Sequence, residues 1–247
     1  MKKVFLFLCT SLSLFGVQIT LLEKTAEIEG SSIMLNPSLN GSNVVAFPMN
    51  MTMKVTGFPL GIISQFERKN QFRGDPQGQA IHLFIDDLPY VDISHLSGSL
   101  ASYTIKTPLL RGKHLVRVLL CRSFGECLKG KGGFSMASFS VSDRKDRIPL
   151  EFNQAAPLLT YNEPQGTFDR GAILLDFYLS NCTLAPDGYK VILRIDNKKV
   201  KVIDAWAPYS ISDLAKGPHK IRLTLIDAVG KEVSGEFNNV EREIFVK

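Results

Sequence analysis

The sequence predicts an all-β chain built from two tandem β-sandwich domains that follow an N-terminal export signal. Three observations predict it: strands in which apolar and polar residues alternate, blocks of sequence that occur twice in the same order, and an apolar run after two lysines at the start. The composition, 247 residues with 45% hydrophobic and 21% charged residues, is typical of globular proteins and excludes a disordered or fibrous chain. A mean hydropathy of +0.05 with one long apolar run excludes a multispanning membrane protein.

Residues 1–18 are predicted to form a signal peptide, because two lysines precede an apolar run that extends from Val4 to Val17. The run can be extended to Leu22, which makes it close to the ~20 residues that span a bilayer. An uncleaved membrane anchor is therefore the alternative. In both cases most of the chain is expected outside the cytoplasm, as a periplasmic, cell-surface or secreted protein. Membrane contact is expected only if the leader is not cleaved.

Alternation of apolar and polar residues identifies four of the strands. The segments are Ile81–Asp86, His114–Leu120, Lys190–Asp196 and His219–Leu225. In each of them the aliphatic side chains share one face, which predicts a strand with one face on a core and the other in water. His82 lies on the face opposite the aliphatic one and is therefore expected at the surface. The mature chain contains no sustained stripe of apolar residues at helical spacing.

Several of these segments are copies of each other, separated by roughly 105 to 110 residues. The matched blocks are Ile85-Asp86-Asp87 with Ile195-Asp196-Asn197, Tyr103-x-Ile105 with Tyr209-x-Ile211, Gly112-x-His114 with Gly217-x-His219, and the earlier strands Val45–Met53 with Ile173–Leu179. Each copy then holds about six or seven strands in roughly 100 residues, the size of an immunoglobulin-like sandwich. The predicted domains are residues 31–141 and 157–247, and the charged segment 142–156 is the predicted linker.

The end of the second copy resembles a known type of module. The block Leu214-x-x-Gly217-Pro218-His219, followed by Ile226-Asp227-x-x-Gly230, is similar to the last strands of many bacterial immunoglobulin-like and fibronectin-III-like modules. In those modules a G-x-H turn opens a strand that closes at a D-x-x-G hairpin. The first copy departs from this pattern, because the segment Cys121–Cys127 replaces the hairpin. The resemblance implies the sandwich fold and leaves the function open, since such modules serve as spacers, adhesion units, carbohydrate binders and enzyme appendages.

Three cysteines remain after removal of the leader, and an odd number leaves one thiol unpaired in an exported chain. Cys121 and Cys127 flank a short turn and are the candidate disulfide. A loop this small is stabilised by roughly 2 kcal/mol on the loop-entropy model. The alternative is that all three cysteines are small apolar residues.

The excess positive charge lies entirely in the first copy. Residues 31–141 hold 11 Lys and Arg against 6 Asp and Glu, whereas residues 157–247 hold 12 of each. Two elongated loops of the first copy carry both cations and phenylalanines. They are the loop between about Gly57 and Gln79, with Phe66, Arg68, Lys69, Phe72 and Arg73, and the loop from Cys121 to Gly133, with Arg122, Phe124, Lys129 and Lys131.

In an immunoglobulin-like sandwich these two connections are the B–C and F–G loops, which emerge at the same end. We therefore predict a basic tip that binds an anionic partner, either an envelope polysaccharide, lipid headgroups or an acidic protein. Solvated loops without a partner are the alternative.

Candidate catalytic and metal-ligating groups are sparse. His114 and His219 occupy matched positions, as do Asp86 and Asp196, and duplicated residues are typical of turns rather than of one catalytic site. Calcium bound by these aspartates at a domain junction is an alternative that no D-x-D-x-D loop supports. The sequence contains no His/Cys/Asp spacing typical of a metal site, no G-x-S-x-G elbow and no Walker motif. We therefore expect no enzyme activity, no metal and no cofactor.

The sequence is therefore interpreted as an exported, non-enzymatic binding or structural protein of the cell envelope. One alternative is a carbohydrate-binding or adhesin module that uses Trp206 or the phenylalanine-bearing loops as a platform. A second alternative is an enzyme with a site between the two domains, formed by His82 or His95 with nearby aspartates. A cleft that holds those side chains within hydrogen-bond reach would favour the enzyme. Nucleic acid is not an expected partner, because export argues against it and a pI of 9.0 is weak support.

Overall fold

The structure is a computed structural model that describes residues 16–143, 153–169 and 171–247. Most of the predicted signal peptide and of the predicted linker lies outside the described residues. In the part of the chain that is described, no helix has the length and apolar character needed to cross a membrane. Helical structure there is limited to three 3₁₀ segments, Pro37–Leu39, Glu67–Asn70 and Lys131–Gly133.

The described residues form seventeen strands. They are β1 (Gln18–Leu21), β2 (Ser32–Leu35), β3 (Ser42–Val44), β4 (Met49–Thr56), β5 (Ala80–Ile85), β6 (Val91–Ile93), β7 (Leu100–Ile105), β8 (Gly112–Cys121), β9 (Phe134–Val141), β10 (Leu158–Glu163), β11 (Gly166–Phe168), β12 (Ile173–Ser180), β13 (Lys190–Ile195), β14 (Lys198–Ile203), β15 (Tyr209–Ser212), β16 (Gly217–Ile226) and β17 (Asn239–Val246).

Each half of the chain is a sandwich of two sheets with the same strand order. In the first half the sheets are β2-β4-β7 and β3-β9-β8-β5-β6, and in the second half they are β1-β15-β12-β10 and β11-β17-β16-β13-β14. Pairing is antiparallel except for β3 with β9 and β11 with β17, which are parallel. The predicted fold class, all-β with two tandem immunoglobulin-like sandwiches, is confirmed.

The predicted inner faces form the two cores. Ile81, Leu83 and Ile85 of β5 belong to the first core, and Val191 and Leu193 of β13 belong to the second. One boundary is wrong: the strand predicted from Val45 begins at Met49, after Pro48, and Val45 is exposed. Proline has no N–H to donate to a sheet ladder, which is consistent with a strand that starts after it.

The duplicated histidines and aspartates form the same turn in both sandwiches, as the repeat predicts. Asp86 Oδ2 lies 2.6 Å from His114 Nδ1, and Asp196 Oδ2 lies 2.7 Å from His219 Nδ1. The other ring nitrogen faces a backbone oxygen four residues earlier, at 2.8 Å and 2.9 Å respectively. The other carboxylate oxygen of each aspartate accepts a hydrogen bond from the backbone N–H that follows the histidine. These residues therefore close a turn against a strand in each copy.

The prediction that the second face meets water is wrong for β5 and β8, because residues on both faces of β5 and of most of β8 are buried. Strand β10 and most of β12 in the second sandwich are also buried on both faces. The outer face of β5 and β8 packs against the outer face of β10 and β12. Phe84 and Leu119 of the first sandwich share a buried cluster with Tyr178 of the second. The two sandwiches therefore dock face to face.

The N-terminal segment joins both sandwiches. Strand β1 pairs antiparallel with β15 of the second sandwich. The chain then crosses to the first sandwich, where Thr25 donates from its backbone and its hydroxyl to the Glu126 carboxylate, at 3.0 Å and 2.5 Å. The sequence does not predict this connection between the N-terminal segment and both sandwiches.

Candidate functional site at the domain junction

The two basic loops of the first sandwich lie side by side. The backbone N–H of Ser64 donates to the Ser123 hydroxyl at 3.0 Å, and the N–H of Ser123 donates to the Ser64 hydroxyl at 3.1 Å. The rings of Phe66 and Phe124 stack with centroids 6.4 Å apart. This adjacency agrees with the assignment of the segments as B–C and F–G loops of an immunoglobulin-like sandwich.

Two of the loop cations are buried in ion pairs. Arg68 Nη1 lies 2.6 Å from Glu126 Oε2, and its Nη2 donates to the carbonyl of Glu23. Lys129 Nζ lies 2.5 Å from Oδ1 of Asp176, which belongs to β12 of the second sandwich. These cations hold the N-terminal segment and the second sandwich against the first.

Two further cations donate to backbone carbonyls. Arg73 donates to the carbonyls of Gln165 and Thr167 at 3.1 Å and 2.7 Å, and its guanidinium lies 4.3 Å from the ring centre of Phe168. Arg122 donates to the carbonyl of Ala26, and burial lowers the pKa of its guanidinium.

The remaining loop residues differ in exposure. Lys131 is exposed and Lys69 is half-buried, Phe66 is at the limit of exposure, and Phe72 and Phe124 are buried against Leu174. Of the two lysines, Lys131 is therefore the more accessible to an anion. Anion binding by these loops stays a prediction.

The candidate cysteine pair lies at the docked faces. The Sγ atoms of Cys121 and Cys127 are bonded to each other, and both residues are buried. Cys182 is the free cysteine among the described residues, and burial raises the pKa of its thiol to about 11. Cys182 is therefore protonated at neutral pH and is a poor nucleophile.

A cleft of about 430 Å³ opens at the junction. Its walls include Arg73, Asp75 and Asp92 from the first sandwich and Glu163 from the end of β10 in the second. A neighbouring hollow of about 640 Å³ shares Arg73, Tyr90 and Asp92 with the cleft and is bounded on its far side by β17. The two spaces together follow the seam between the sandwiches.

His82 is part of this wall, so its predicted surface position is wrong. Its Nε2 lies 3.1 Å from Asp92 Oδ1, and its Nδ1 lies 2.6 Å from Asn162 Oδ1 of the second sandwich. Its ring stacks on Tyr90 with centroids 3.8 Å apart. Burial lowers the pKa of His82 to about 4, so the ring is neutral at pH 7. Sequence alternation placed His82 away from the core correctly, but the second sandwich covers that face.

Two carboxyl groups of the cleft titrate near neutrality. Burial and the negative charge of Asp75 together raise the pKa of Asp92 to about 6, against the opposing charge of Arg73. Burial raises the pKa of Glu163 to about 7, against hydrogen bonds from the Tyr90 hydroxyl and the Gln165 backbone N–H. A ligand that donates hydrogen bonds would stabilise the ionised form of both groups.

Sequence reasoning missed Tyr90, Asp92 and Glu163. A signal for the junction does exist in the sequence, because β8 and β12 contain nearly continuous apolar runs. Strands buried on both faces have such runs, whereas half-buried strands alternate.

Ligand-type side chains for a metal lie close together at one place in the described residues. Among the described residues, the one group of three or more ligand-type side chains within 4.8 Å of one another is His82, Cys121 and Cys127. Its two sulfur atoms are bonded to each other, so no thiolate is free for a metal. The carboxyl groups of the cleft are too far apart to form such a group.

Trp206 and His95, which the sequence also offered as candidates, do not line the cleft. Trp206 packs at the junction, where its Nε1 donates to the carbonyl of Phe177 at 3.1 Å and its ring meets Tyr178 edge to face. It is therefore not an open platform for a sugar. His95 is exposed and does not line the cleft.

Comparison with known proteins gives likeness of fold alone. No family model and no curated protein matches the chain. Fibronectin(III)-like modules of Clostridium thermocellum CbhA show 11% identity and a TM-score of 0.30, covering 87% of this chain and 94% of theirs. A Bacteroides ovatus glucan-utilization protein, SGBP-B, solved with a mixed-linkage heptasaccharide, shows 11% identity and a TM-score of 0.24, covering 94% and 70%.

A putative membrane-anchored protein from Corynebacterium diphtheriae shows 9% identity and a TM-score of 0.30, covering 85% of this chain and 58% of its own. At these identities and TM-scores the likeness implies no shared ligand, and the β-sandwich architecture of this chain rests on its own sheets.

Proposed function

We propose that this chain is an exported, non-enzymatic binding or structural protein of the cell envelope, in which two immunoglobulin-like sandwiches act as one rigid unit. The observation that carries the proposal is the set of contacts made by the cations of the basic loops. Lys129 binds Asp176 across the junction, and Arg68 donates to the carbonyl of Glu23 and the hydroxyl of Thr25 in the N-terminal segment.

Because the two sandwiches dock rigidly, a role in binding a partner is better supported than a role as a spacer alone. Domains joined by small polar interfaces usually move relative to each other. Here an apolar cluster with Phe84, Leu119 and Tyr178, buried ion pairs and strand β1 all join the two sandwiches. Groups from both sandwiches are thereby held at fixed positions, which lowers the entropy cost of binding a partner.

Export is supported by the predicted leader and by the bonded pair Cys121 and Cys127, since stable disulfides are typical of oxidising compartments. The test is the intact mass of the protein from its native host, with and without reduction. We expect a mass that lacks the leader and a gain of about two daltons on reduction. An uncut chain would identify an anchor, and the absence of a reducible bond would contradict export to an oxidising compartment.

The anionic partner is tested at Lys131, which is exposed, and at Lys69, which is half-buried. We expect that Lys69→Glu combined with Lys131→Glu weakens binding to polygalacturonate and to vesicles that contain phosphatidylglycerol, because the double substitution reverses two positive charges on the loops. The matched control is Lys198→Glu with Lys199→Glu on β14 of the second sandwich. Equal loss in both double variants would show a net-charge effect and contradict contact through the loops.

One observation favours a second function, an enzyme with a site between the sandwiches. His82 and Asp92 lie within hydrogen-bond reach in a cleft at the junction. Both ring nitrogens of His82 are occupied and its ring is covered by Tyr90, so Asp92 is the acid–base group that a substrate would reach. The test is turnover of nitrophenyl glycosides and esters. Activity of the native protein that Asp92→Ala abolishes would replace the non-enzymatic proposal.

A further inference from the structure

We propose that the cleft at the junction binds a neutral polyhydroxylated ligand, namely the sugar units of a polysaccharide. The inference rests on the proposed binding function and names the ligand class of this protein. It depends on the size of the cleft, on the mixture of donors and acceptors in its wall, and on how those groups are held.

The size and shape of the space suit a chain of sugar units. Pockets for small organic ligands have volumes of about 300 to 1,000 Å³, and the cleft has about 430 Å³. The neighbouring hollow of about 640 Å³ continues past Arg73, Tyr90 and Asp92 to Glu243 on β17. A linear ligand can therefore contact both sandwiches along the seam.

The wall presents acceptors and donors together. Carboxyl groups of Asp75, Asp92 and Glu163 face the cleft beside the guanidinium of Arg73 and the hydroxyl of Ser123. A sugar hydroxyl donates one hydrogen bond and accepts others, so it can satisfy both kinds of group. An anionic ligand would face three carboxyl groups, and a cationic ligand would face Arg73 and Arg122.

The key acceptors are held in position before a ligand arrives. Asp92 Oδ1 lies 3.1 Å from Nε2 of His82, and the His82 ring is itself fixed by Asn162 and by stacking on Tyr90. Glu163 accepts hydrogen bonds from the Tyr90 hydroxyl and the Gln165 backbone N–H. Groups fixed in this way lose little side-chain entropy on binding.

Gly125 makes room for Glu163 in the wall. Its φ is +89°, and a Cβ at this position would lie 3.0 Å from Glu163 Cγ. A larger residue would therefore be strained and would displace the carboxyl group.

The raised pKa values of Asp92 and Glu163 predict how binding depends on pH. Hydroxyl donors stabilise the ionised carboxylates, so the ligand binds that form more tightly and releases protons. Affinity should therefore rise as the pH increases from 5 through the pKa values of about 6 and about 7.

The test is a titration of the mature protein with defined neutral sugars. The probes are glucose, galactose, N-acetylglucosamine, cellobiose and maltose, followed by dextran and mixed-linkage glucan, with saturation-transfer NMR and calorimetry as readouts. We expect at least one probe to bind, with affinity at least tenfold lower in Asp92→Ala because a hydrogen bond to a charged group is lost. Asp187→Ala, on an exposed loop of the second sandwich, is the matched control and should bind as the native protein does.

A second variant keeps the test decisive if Asp92→Ala does not fold. Glu243 is exposed on β17 and lines the outer hollow, so Glu243→Ala is expected to fold and to weaken the polysaccharide probes. The proposal is overturned if no sugar binds, or if binding is equal in the cleft variants and in Asp187→Ala.

Spermidine is the probe that distinguishes failure of the sugar proposal from failure of the proposed binding function. If it binds and Asp92→Ala abolishes that binding, the sugar class is wrong while the binding function stands. If neither sugars nor spermidine bind and the envelope anions also fail, the binding function itself is contradicted.

Discussion

The two sandwiches have the same strand order and the same aspartate–histidine turn, but they bury different outer faces. In the first sandwich the covered face belongs to β5 and β8, and in the second it belongs to β10 and β12. Strand β4 of the first sandwich, by contrast, has alternating burial. A duplicated sequence therefore predicts equal cores but not equal surfaces.

A single pair of matched positions shows the difference. Tyr103 pairs with Met51 in the first sandwich, and its counterpart Tyr209 pairs with Leu175 in the second. Thr52 and Asp176 therefore occupy equivalent positions on the outer face. Thr52 is partly exposed, whereas Asp176 is fully buried beneath the F–G loop of the first sandwich and binds Lys129.

Replacing Asp176 and Thr52 in turn should produce the largest difference in the free energy of unfolding. We expect Asp176→Ala to lower the free energy of unfolding by about 3 to 5 kcal/mol, because Lys129 is left as a buried unpaired charge. Thr52→Ala should change it by less than about 0.5 kcal/mol, as is usual for surface substitutions. Urea unfolding followed by circular dichroism measures both. Equal effects of the two substitutions would mean that the junction does not contribute to stability.

The pH dependence of stability should differ between the junction and the open surface. The pKa of Glu163 rises from 4.5 to about 7 on folding, so the folded state binds more protons in that range. Stability is therefore highest below pH 4.5 for this group and falls as the pH rises through about 7. Glu163→Gln should be more stable than the native protein above pH 7, by up to about 3 kcal/mol.

Thermal unfolding between pH 5 and 8 tests this prediction. Glu243→Gln on β17 is the control and should follow the native curve at each pH, since its side chain is exposed. An unchanged slope in Glu163→Gln would show that this carboxyl group is ionised in the folded protein throughout the range.

The loops after β8 and β16 are closed in different ways, and the two closures should contribute unequally to the free energy of unfolding. The first is bridged by Cys121 and Cys127, and the second is a turn in which Asp227 Oδ1 accepts from the N–H groups of Val229 and Lys231. Replacing both cysteines with serine should cost about 2 kcal/mol on the loop-entropy model, whereas Asp227→Ala should cost about 1 kcal/mol. Unfolding with and without reductant gives both values, and a native protein insensitive to reductant would contradict the first.

The aspartate–histidine turns should have the smallest effect on stability. Burial lowers the pKa of His219, but its contacts with Asp196 and the Ala215 carbonyl outweigh this and raise it. The stabilisation by this pair is therefore complete below about pH 6.5, the unfolded value, and is lost as the pH rises through the raised pKa. Because solvent screens the pair, His219→Ala should cost less than about 1 kcal/mol at pH 6. NMR titration of the ring measures the pKa, and a value below 6.5 would contradict the prediction.

The part of the fold that depends on local pattern could be predicted. Alternation in β5, β8, β13 and β16 identifies the aliphatic residues that fill both cores, and the matched blocks identify the repeated turns. The side-by-side position of the two basic loops follows from the topology of the sandwich. These features depend on residues near one another in sequence or on a strand order shared by many proteins.

The candidate site depends on contacts between residues far apart in the chain. Asp92 and Glu163 line one cleft, and Lys129 binds Asp176, only because the two sandwiches dock through particular faces. A basic loop is typical of a surface, so the sequence favoured an exposed tip where the structure has internal ion pairs. Nearly continuous apolar runs in β8 and β12 indicate burial of both faces, but they do not identify the covering partner.

The sequence by itself determined the strands, the duplication, the inner faces and the excess charge of the first copy. Each of these follows from the two-residue period of a strand or from composition. Only the tertiary structure decided which groups the cations of the first copy bind, that the second sandwich covers His82, and that a cleft exists at the junction. The physical reason is that a cation can be stabilised either by solvent or by a buried carboxylate, and which of the two applies depends on which surfaces meet.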